Sequence, residues 1–221
     1  MRLGLVLAAS VLIAVPGSAF AGILVQSTFD SDADGWVVGD FFFSGGTAAP
    51  TFVPTGGNPG GFVRTGDLFG WNAYQAPAKF LGNQSAAYGG NLHLEEQLLT
   101  SDGIDYPMVV ISDGTTSLQF LTPPPGTSWT SFDIPLLASA GWQVALDDTG
   151  DPGPAATEAQ LLAVLSNLSF LHIDADWQTG VDQDDLDNVR FESPAPVPEP
   201  ATGALMAIGL AAAGFRRRRR R

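Results

Sequence analysis

Short runs in which apolar and polar residues alternate, separated by glycine, proline and aspartate, make up most of the chain after residue 21. A period of two predicts β-strands with one buried face, and the intervening residues predict turns. The predicted strands lie in 22–29, 36–43, 62–74, 92–98, 108–112, 117–120, 129–136, 168–177 and 189–192. The pattern therefore predicts an all-β protein built from many short strands.

The connecting segments have patterns of their own. Asp113 and Gly114 form a dipeptide typical of a β-hairpin between two predicted strands. Glycine and proline fill 44–61, which predicts a long loop, and aspartates crowd 182–188, which predicts a solvated loop. Residues 157–167 carry leucines at helical spacing behind a threonine cap and predict one short helix.

The first 21 residues predict a secretory signal peptide. Arg2 gives a basic start, 3–15 is apolar, and 19–21 (Ala-Phe-Ala) supplies small residues at a cleavage site. The apolar run is short for a membrane span and a Pro-Gly pair follows it. We expect cleavage before Gly22.

The C-terminal residues predict a tail distinct from the β-rich body. A proline-rich linker leads to an apolar stretch over 201–215, and six arginines end the chain. The stretch is shorter than the roughly 20 residues of a full membrane crossing, yet the basic cluster behind it is typical of a cytoplasmic end. We therefore assign 22–193 to one body domain and 194–221 to a linker and transmembrane tail.

Composition and charge exclude several classes of protein. The chain has no cysteine, so no disulfide stabilises the exported body. Its net charge is −13, but seven of the ten basic residues lie at the two ends. Three basic residues against 23 acidic ones leave the remainder at −20. Such a body repels nucleic acid, is soluble, and can attract divalent cations.

Alternating aspartates follow the first predicted strand. Asp30, Asp32 and Asp34, closed by Gly35, open like the D-x-D-x-D-G start of a calcium-binding EF-hand loop. The twelfth position, where that loop carries glutamate, is Phe41, so the segment is not an EF-hand. Two hypotheses stay open: a calcium ion bound by these carboxylates, or an aspartate-rich turn without a metal.

Three stretches of the body carry a family resemblance. Residues 76–95 run APAKFLGNQSAAYGGNLHLE, residues 129–136 run WTSFDIPL, and residues 186–189 run LDNV. The first two resemble the laminin B domain, also called laminin IV type A, and the third resembles the Leu-Asp-x-Val ending of many jelly-roll binding domains. The laminin B resemblance covers most of the body. The resemblance implies an antiparallel jelly-roll β-sandwich related to galactose-binding-like modules. Animal laminin domains often contain the cysteines that this chain lacks.

The resemblance also implies where a metal and a ligand would lie. Because the first and last strands are neighbours in such sandwiches, Asp187 is expected near Asp30. The predicted ligands of a structural calcium ion are Asp30, Asp32, Asp34 and Asp187. Exposed aromatic rings on a sandwich face stack on sugars, and the candidates are Trp71, Tyr74, Tyr88 and Trp129. The alternative is that most of these rings belong to the hydrophobic core.

The tail resembles a PEP-CTERM sorting signal, in which a Pro-Glu-Pro motif precedes a transmembrane segment and a basic cluster. Here the motif residues are Pro198, Glu199 and Pro200. The resemblance implies a Gram-negative-type bacterium that makes exopolysaccharide, and a membrane-embedded exosortase as processing partner. It also implies export to the cell envelope, the outer surface or the extracellular matrix, with a transient or retained membrane anchor.

No arrangement of residues in the sequence predicts catalysis. His93 and His172 lie in predicted strands without a cysteine, serine or metal-ligand partner nearby. Glu95 and Glu96 are adjacent, so in a strand they point to opposite faces and cannot form the carboxylate pair of a glycoside hydrolase. We therefore expect no catalytic residue and no cofactor other than structural calcium.

Three functional hypotheses follow from these patterns. The favoured one is a non-catalytic surface module that binds an extracellular polysaccharide or a surface protein. The second is a structural component of the extracellular matrix with no defined ligand. The third is an exported glycoside hydrolase.

Overall fold

Two antiparallel sheets form the body of the protein. The computed structural model describes residues 21–41, 45–103, 106–146 and 150–196. The strands are β1 (Ile23–Ser27), β2 (Val37–Asp40), β3 (Thr51–Gly57), β4 (Gly60–Gly66), β5 (Asn72–Gln75), β6 (Asn91–Leu98), β7 (Tyr106–Ser112), β8 (Ser117–Thr122), β9 (Thr130–Pro135), β10 (Gln143–Ala145), β11 (Pro152–Ala155), β12 (Phe170–Asp174) and β13 (Gln183–Glu192). The all-β prediction is confirmed.

The strand order is that of a β-sandwich. Sheet A has the order β3-β4-β13-β6-β9, with β1 also beside β13, and sheet B has the order β11-β10-β8-β7-β12-β5-β2. All pairings within both sheets are antiparallel. The first and last strands are neighbours, as expected, with Gln26 opposite Arg190. The predicted antiparallel sandwich is confirmed.

One α-helix, α1 (Glu158–Ser166), lies between β11 and β12. The Thr157 hydroxyl accepts the backbone N–H of Gln160, and the Gln160 side chain accepts the backbone N–H of Thr157. This capping box satisfies donors that the first helical turn would otherwise leave unpaired. The helix buries Leu161, Val164 and Leu165. The predicted helix and its threonine cap are therefore confirmed.

The hydrophobic core lies between the sheets and contains several large aromatic side chains. Trp36, Trp142 and Trp177 are fully buried. Trp36 meets Phe80 edge-on with ring centroids 5.3 Å apart, and Phe80 meets Phe191 at 6.0 Å. These contacts join the first third of the chain to its last strand, and they stabilise a body that has no disulfide.

Two segments predicted as loops are strands. Residues 44–61 contain most of the β3–β4 hairpin, whose proline and glycine residues are typical of a loop. β3 is an edge strand of sheet A, where proline is tolerated because no second neighbour needs its missing N–H. Residues 182–188 are not a solvated loop, because β13 runs through the middle of sheet A and Asp184 is fully buried.

Among the described residues, no helix is both long enough and apolar enough to cross a membrane. The predicted signal peptide lies outside the described residues except for its last position. The apolar stretch 201–215 and the motif Pro198-Glu199-Pro200 also lie outside them.

Candidate functional site

A cavity of about 440 Å³ opens at one end of the sandwich. Strand β12 is antiparallel to both β5 and β7, so its end lies beside the beginnings of those two strands. Segments at these strand ends form the walls of the cavity. The lining residues are Asp67, Phe69, Gly70, Trp71, Tyr106, Asp176, Gln178, Thr179 and Gly180. We call this cavity the end pocket.

Two aromatic rings of the end pocket are held in place by their neighbours. Trp71 stacks on Phe41 with ring centroids 5.4 Å apart, and its indole N–H donates to Asp174 Oδ1 at 2.9 Å. Tyr106 and Trp71 form a T-shaped pair with ring centroids 5.6 Å apart, and Tyr106 forms a second T-shaped pair with Trp177. The two rings are therefore positioned before any ligand arrives.

Two carboxylates line the same end pocket. Asp67 is exposed, whereas Asp176 is half-buried and accepts the backbone N–H of Asn72 at 3.2 Å. The pKa of Asp176 is raised to about 6, mainly by burial and also by the negative charges of Asp182 and Asp67. The lining residues given above include no lysine or arginine. The pocket is therefore acidic as well as aromatic.

Two family models match the sequence. The model described as Laminin B (Domain IV) matches residues 73–205, more than half of the chain. The chain belongs to the laminin B family. The model of the PEP-CTERM protein-sorting motif matches residues 196–220. Both resemblances seen in the sequence are thus confirmed, and the sorting motif indicates export to the cell envelope or surface.

One solved laminin structure supports the sandwich fold of this domain, and two further structures align more weakly. The L4b domain of human laminin alpha-2 aligns with a TM-score of 0.61 and 18% identity, over 76% of this chain and 96% of that chain. The family 11 carbohydrate-binding module of a cellulosomal cellulase from Clostridium thermocellum aligns with a TM-score of 0.43 and 16% identity, over 83% of this chain and 96% of that chain. An exo-beta-agarase aligns with a TM-score of 0.48 and 11% identity, over 81% of this chain and 25% of that chain. No curated protein matches this chain.

The four predicted aromatic ligand residues lie in different environments in this laminin B domain. Trp71 lines the end pocket. Tyr74 is fully buried and its hydroxyl donates to the Asp184 carbonyl at 2.7 Å, so its assignment to a ligand face is wrong. Tyr88 is half-buried against the core, and the Trp129 indole N–H donates to a backbone carbonyl of β3 at 2.8 Å. Neither of these two lines the end pocket.

Of the residues that line the end pocket, only Trp71 was predicted as a site residue from the sequence. The ionisable side chains that were not predicted are Asp67, Tyr106 and Asp176. Each lies just outside or at the end of a strand, as ligand-contacting residues on sandwiches often do. Tyr106 could have been singled out by its position, because it is an aromatic residue that precedes a proline at the start of a strand. Their convergence depends on strand pairing, which the pattern alone does not show.

The predicted metal ligands separate into two groups. Asp187 accepts the Asn58 backbone N–H at 2.7 Å, and its pKa is raised to about 6 by burial, with smaller contributions from Glu95 and Asp30. Asp30 thus lies near Asp187, as the strand order implied. Asp32 and Asp34 belong to the second group: Asp32 accepts the backbone N–H of Asp34, while Asp34 pairs with a lysine. The four carboxylates do not form one cluster.

Calcium binding at Asp30 and Asp187 stays a prediction. If these carboxylates hold an ion, removing calcium with EDTA should lower the melting temperature by about 5–10 °C, because a ligand of the folded state stabilises it. Thermal scans of wild-type protein and Asp30→Asn, each with calcium and with EDTA, check this. We expect the variant to show no EDTA effect. A wild-type melting temperature that EDTA leaves unchanged would rule out a stabilising calcium ion.

Glu96 and Asp184 form a buried carboxylate pair that the sequence did not reveal. Glu96 lies opposite Leu186 and Asp184 lies opposite Leu98, so the two acids are diagonal neighbours on the core side of sheet A. Both are fully buried, and neither carboxylate has a hydrogen-bond partner in the described part of the chain. The Trp177 indole N–H is close enough to lower the pKa of Glu96 but lies outside hydrogen-bond geometry. Burial nevertheless raises the pKa of both acids well above the ordinary carboxyl range.

The histidines and the adjacent glutamates show no catalytic arrangement. His93 Nδ1 lies 2.7 Å from Asp133 Oδ1, and His172 Nδ1 lies 2.8 Å from a backbone carbonyl oxygen. Burial lowers the pKa of His172. Glu95 and Glu96 face opposite sides of β6, as the strand period predicted: the first accepts a serine hydroxyl on the outer face, and the second enters the core. Within the described ranges, no group of three or more histidine, aspartate or glutamate residues is arranged to hold a metal ion.

Proposed function

We propose that this member of the laminin B domain family is an exported, non-catalytic module of the bacterial cell envelope that binds a glycan in the end pocket. The observation that carries the proposal is the Trp71–Tyr106 ring pair beside two carboxylates in one cavity. The cavity volume of about 440 Å³ lies within the range of about 300–1,000 Å³ that is usual for small-ligand sites.

The lining of the end pocket fits the chemistry of a sugar. A pyranose ring has apolar C–H faces, which pack on aromatic rings such as those of Trp71 and Tyr106. Its rim carries hydroxyls, which donate to carboxylates such as Asp67 and Asp176. Gln178 lines the same cavity and adds an amide donor and acceptor.

The fixed position of the rings lowers the cost of binding. Trp71 is held by stacking on Phe41 and by its hydrogen bond to Asp174, so little side-chain freedom remains to be lost. Groups ordered in the free protein increase affinity because the entropy of ordering them is not lost on association.

The C-terminal tail supports the export part of the proposal. The sorting motif family covers residues 196–220. We infer that an exosortase-type enzyme recognises Pro198, Glu199 and Pro200, while the apolar stretch holds the chain at the membrane. The terminal arginines favour a cytoplasmic end, which leaves the acidic body outside.

Trp71→Ala is expected to weaken glycan binding by at least about tenfold, because the stacking surface of the pocket is lost. The full-length chain is first screened on a glycan array, and the affinity for the best oligosaccharide is then measured by calorimetry. Trp129→Ala removes a half-buried tryptophan that does not line the end pocket, and it should bind as wild type does.

Three results would contradict the proposal or favour its alternatives. Equal losses in the two tryptophan variants would show that the end pocket is not the site. Absence of binding to every glycan would favour a structural matrix component. Release of new reducing ends from exopolysaccharide by the purified chain would favour an exported glycoside hydrolase.

A further inference from the structure

The end pocket surrounds its aromatic rings with negative charge. Asp67 and Asp176 line the cavity. Behind them, Asp182 is buried, and its pKa is raised by burial and also by the charges of Asp67 and Asp102. The same like-charge effect acts on Asp176. The carboxylates of this region therefore repel one another when all of them are ionised.

The basic side chains of the body are engaged in other places. Between residues 22 and 196 the sequence has three of them, and each forms an ion pair with an acidic side chain. The pairs are Arg64–Asp185, Lys79–Asp34 and Arg190–Glu192. None of the three basic residues lines the end pocket. A ligand with carboxylate or sulfate groups would therefore meet repulsion there without a compensating cation.

We propose that the end pocket binds an amino sugar in its protonated form, as a polysaccharide with free amino groups presents it. This inference rests on the glycan-binding function proposed above and narrows it to one chemical class. The ammonium group would pair with Asp67 and Asp176 in charge-assisted hydrogen bonds. The faces of Trp71 and Tyr106 attract the same cation and pack on the sugar ring.

The relief of charge repulsion distinguishes an amino sugar from a neutral one. A neutral sugar gains the ring contacts with Trp71 and Tyr106 but leaves the carboxylates repelling each other. An ammonium group gains the same contacts and also neutralises part of the charge on Asp176, whose carboxylate is half-buried. The electrostatic gain is larger here than in open solvent, because burial lowers the local dielectric.

Three hexasaccharides of one linkage test the inference on the full-length chain: β-1,4-linked glucosamine, N-acetylglucosamine and glucose. Calorimetry at low salt and pH 6.5 is expected to show the glucosamine hexamer binding at least about tenfold more tightly than the other two. Asp67→Asn and Asp176→Asn should each remove most of this preference, because the amide keeps an acceptor oxygen but carries no charge. Asp133→Asn, an exposed acid on the outer face of sheet A, is the matched control and should keep the preference.

The pH and salt dependence should follow from the same pairing. Binding of the glucosamine hexamer should weaken as the pH falls below about 6, because Asp176 then takes up a proton. It should also weaken at alkaline pH, because the amino groups of the ligand then lose theirs. Added salt should reduce the preference, because it screens ion pairs that are partly open to solvent.

Three outcomes would overturn the inference. They also distinguish a failure of the amino-sugar preference from a failure of the proposed glycan binding. Equal affinity for the three hexamers, with all of them lost in Trp71→Ala, leaves glycan binding intact but removes the amino-sugar preference. Trilysine bound as tightly as the glucosamine hexamer shows attraction of charge alone. Failure of all three hexamers and of the wider array removes both proposals.

Discussion

Replacing Glu96 by glutamine together with Asp184 by asparagine is expected to make the domain more stable than wild type at about pH 8 and to remove the part of its pH dependence above about pH 5 that these two acids cause. Both acids are fully buried on the core side of sheet A, with no hydrogen-bond partner among the described residues. Other acids face the pair: Asp174 and Asp182 add negative charge near Glu96, and Asp185 adds it near Asp184.

The sign of this effect follows from the proton balance. Burial raises the pKa of Glu96 and Asp184 in the folded state, so folding retains protons that the unfolded chain releases. The resulting stability is fully present below the ordinary carboxyl pKa of about 4 and is lost as the pH rises through the folded-state pKa. Within that window each group lowers the free energy of unfolding by up to about 1.4 kcal/mol per pH unit. Neutral amides bind no proton in either state, so the contribution of these two groups to the decline disappears.

Urea unfolding at several pH values between about 5 and 8 measures this effect. Asp185→Asn is the matched control, because Asp185 is the next residue on the same strand but faces outward and pairs with Arg64 at 2.6 Å. We expect the free energy of unfolding of that variant to decline with pH as that of wild type does, although its value at about pH 5 differs. If the stability of the double variant declined with pH in parallel with wild type, the buried pair would be ionised in the folded protein.

Gly90→Ala is expected to destabilise the domain by about 3 kcal/mol, because overpacking against rigid backbone is costly. A Cβ at this position would lie 2.0 Å from the carbonyl oxygen of Glu192 and 2.7 Å from the carbonyl carbon of Ser193. On the other side, the Leu136 N–H donates to the Gly90 carbonyl at 2.9 Å. The segment therefore cannot move away from β13 without breaking a hydrogen bond.

Gly82→Ala is the matched control for Gly90→Ala within the same family motif. Gly82 has a φ of +79°, and a Cβ there meets nothing within 4 Å. The expected loss of stability in this variant is about 1–2 kcal/mol and comes only from placing alanine in the left-handed backbone conformation. Urea unfolding of the two variants compares the effects, and losses of equal size would show that close packing at Gly90 is not limiting.

Several elements were predictable because their signals are local. Helix α1 has its cap and its apolar residues within eleven positions, and the Asp113-Gly114 turn lies between two β-branched or alternating runs. The β3–β4 hairpin was missed because its proline and glycines resemble a loop. The predicted last strand, 189–192, is shorter than β13 for a related reason. Aspartates are rare in central strands, so the sequence predicts that 182–188 lie in solvent.

The candidate site was predictable only in part. Trp71 was proposed from its residue type, and it lines the end pocket. Tyr74 was proposed on the same ground, yet its neighbours on sheet B turn it into the core, where its hydroxyl bonds to β13. Tyr106 and Asp176 come from segments about 70 residues apart along the chain, so only the pairing of β12 with β7 brings them together.

The sequence by itself determined the all-β class, the capped helix, the laminin B family and the sorting motif, because each depends on the order of residues within a short segment. The tertiary structure decided that Trp71 lines a pocket while Tyr74 is buried. It also decided that Asp184 enters the core while Asp185 meets an arginine outside. The physical reason is strand register: neighbouring residues of a strand face opposite sides, so a shift of one position exchanges core for solvent. That register is set by contacts between strands far apart in the chain.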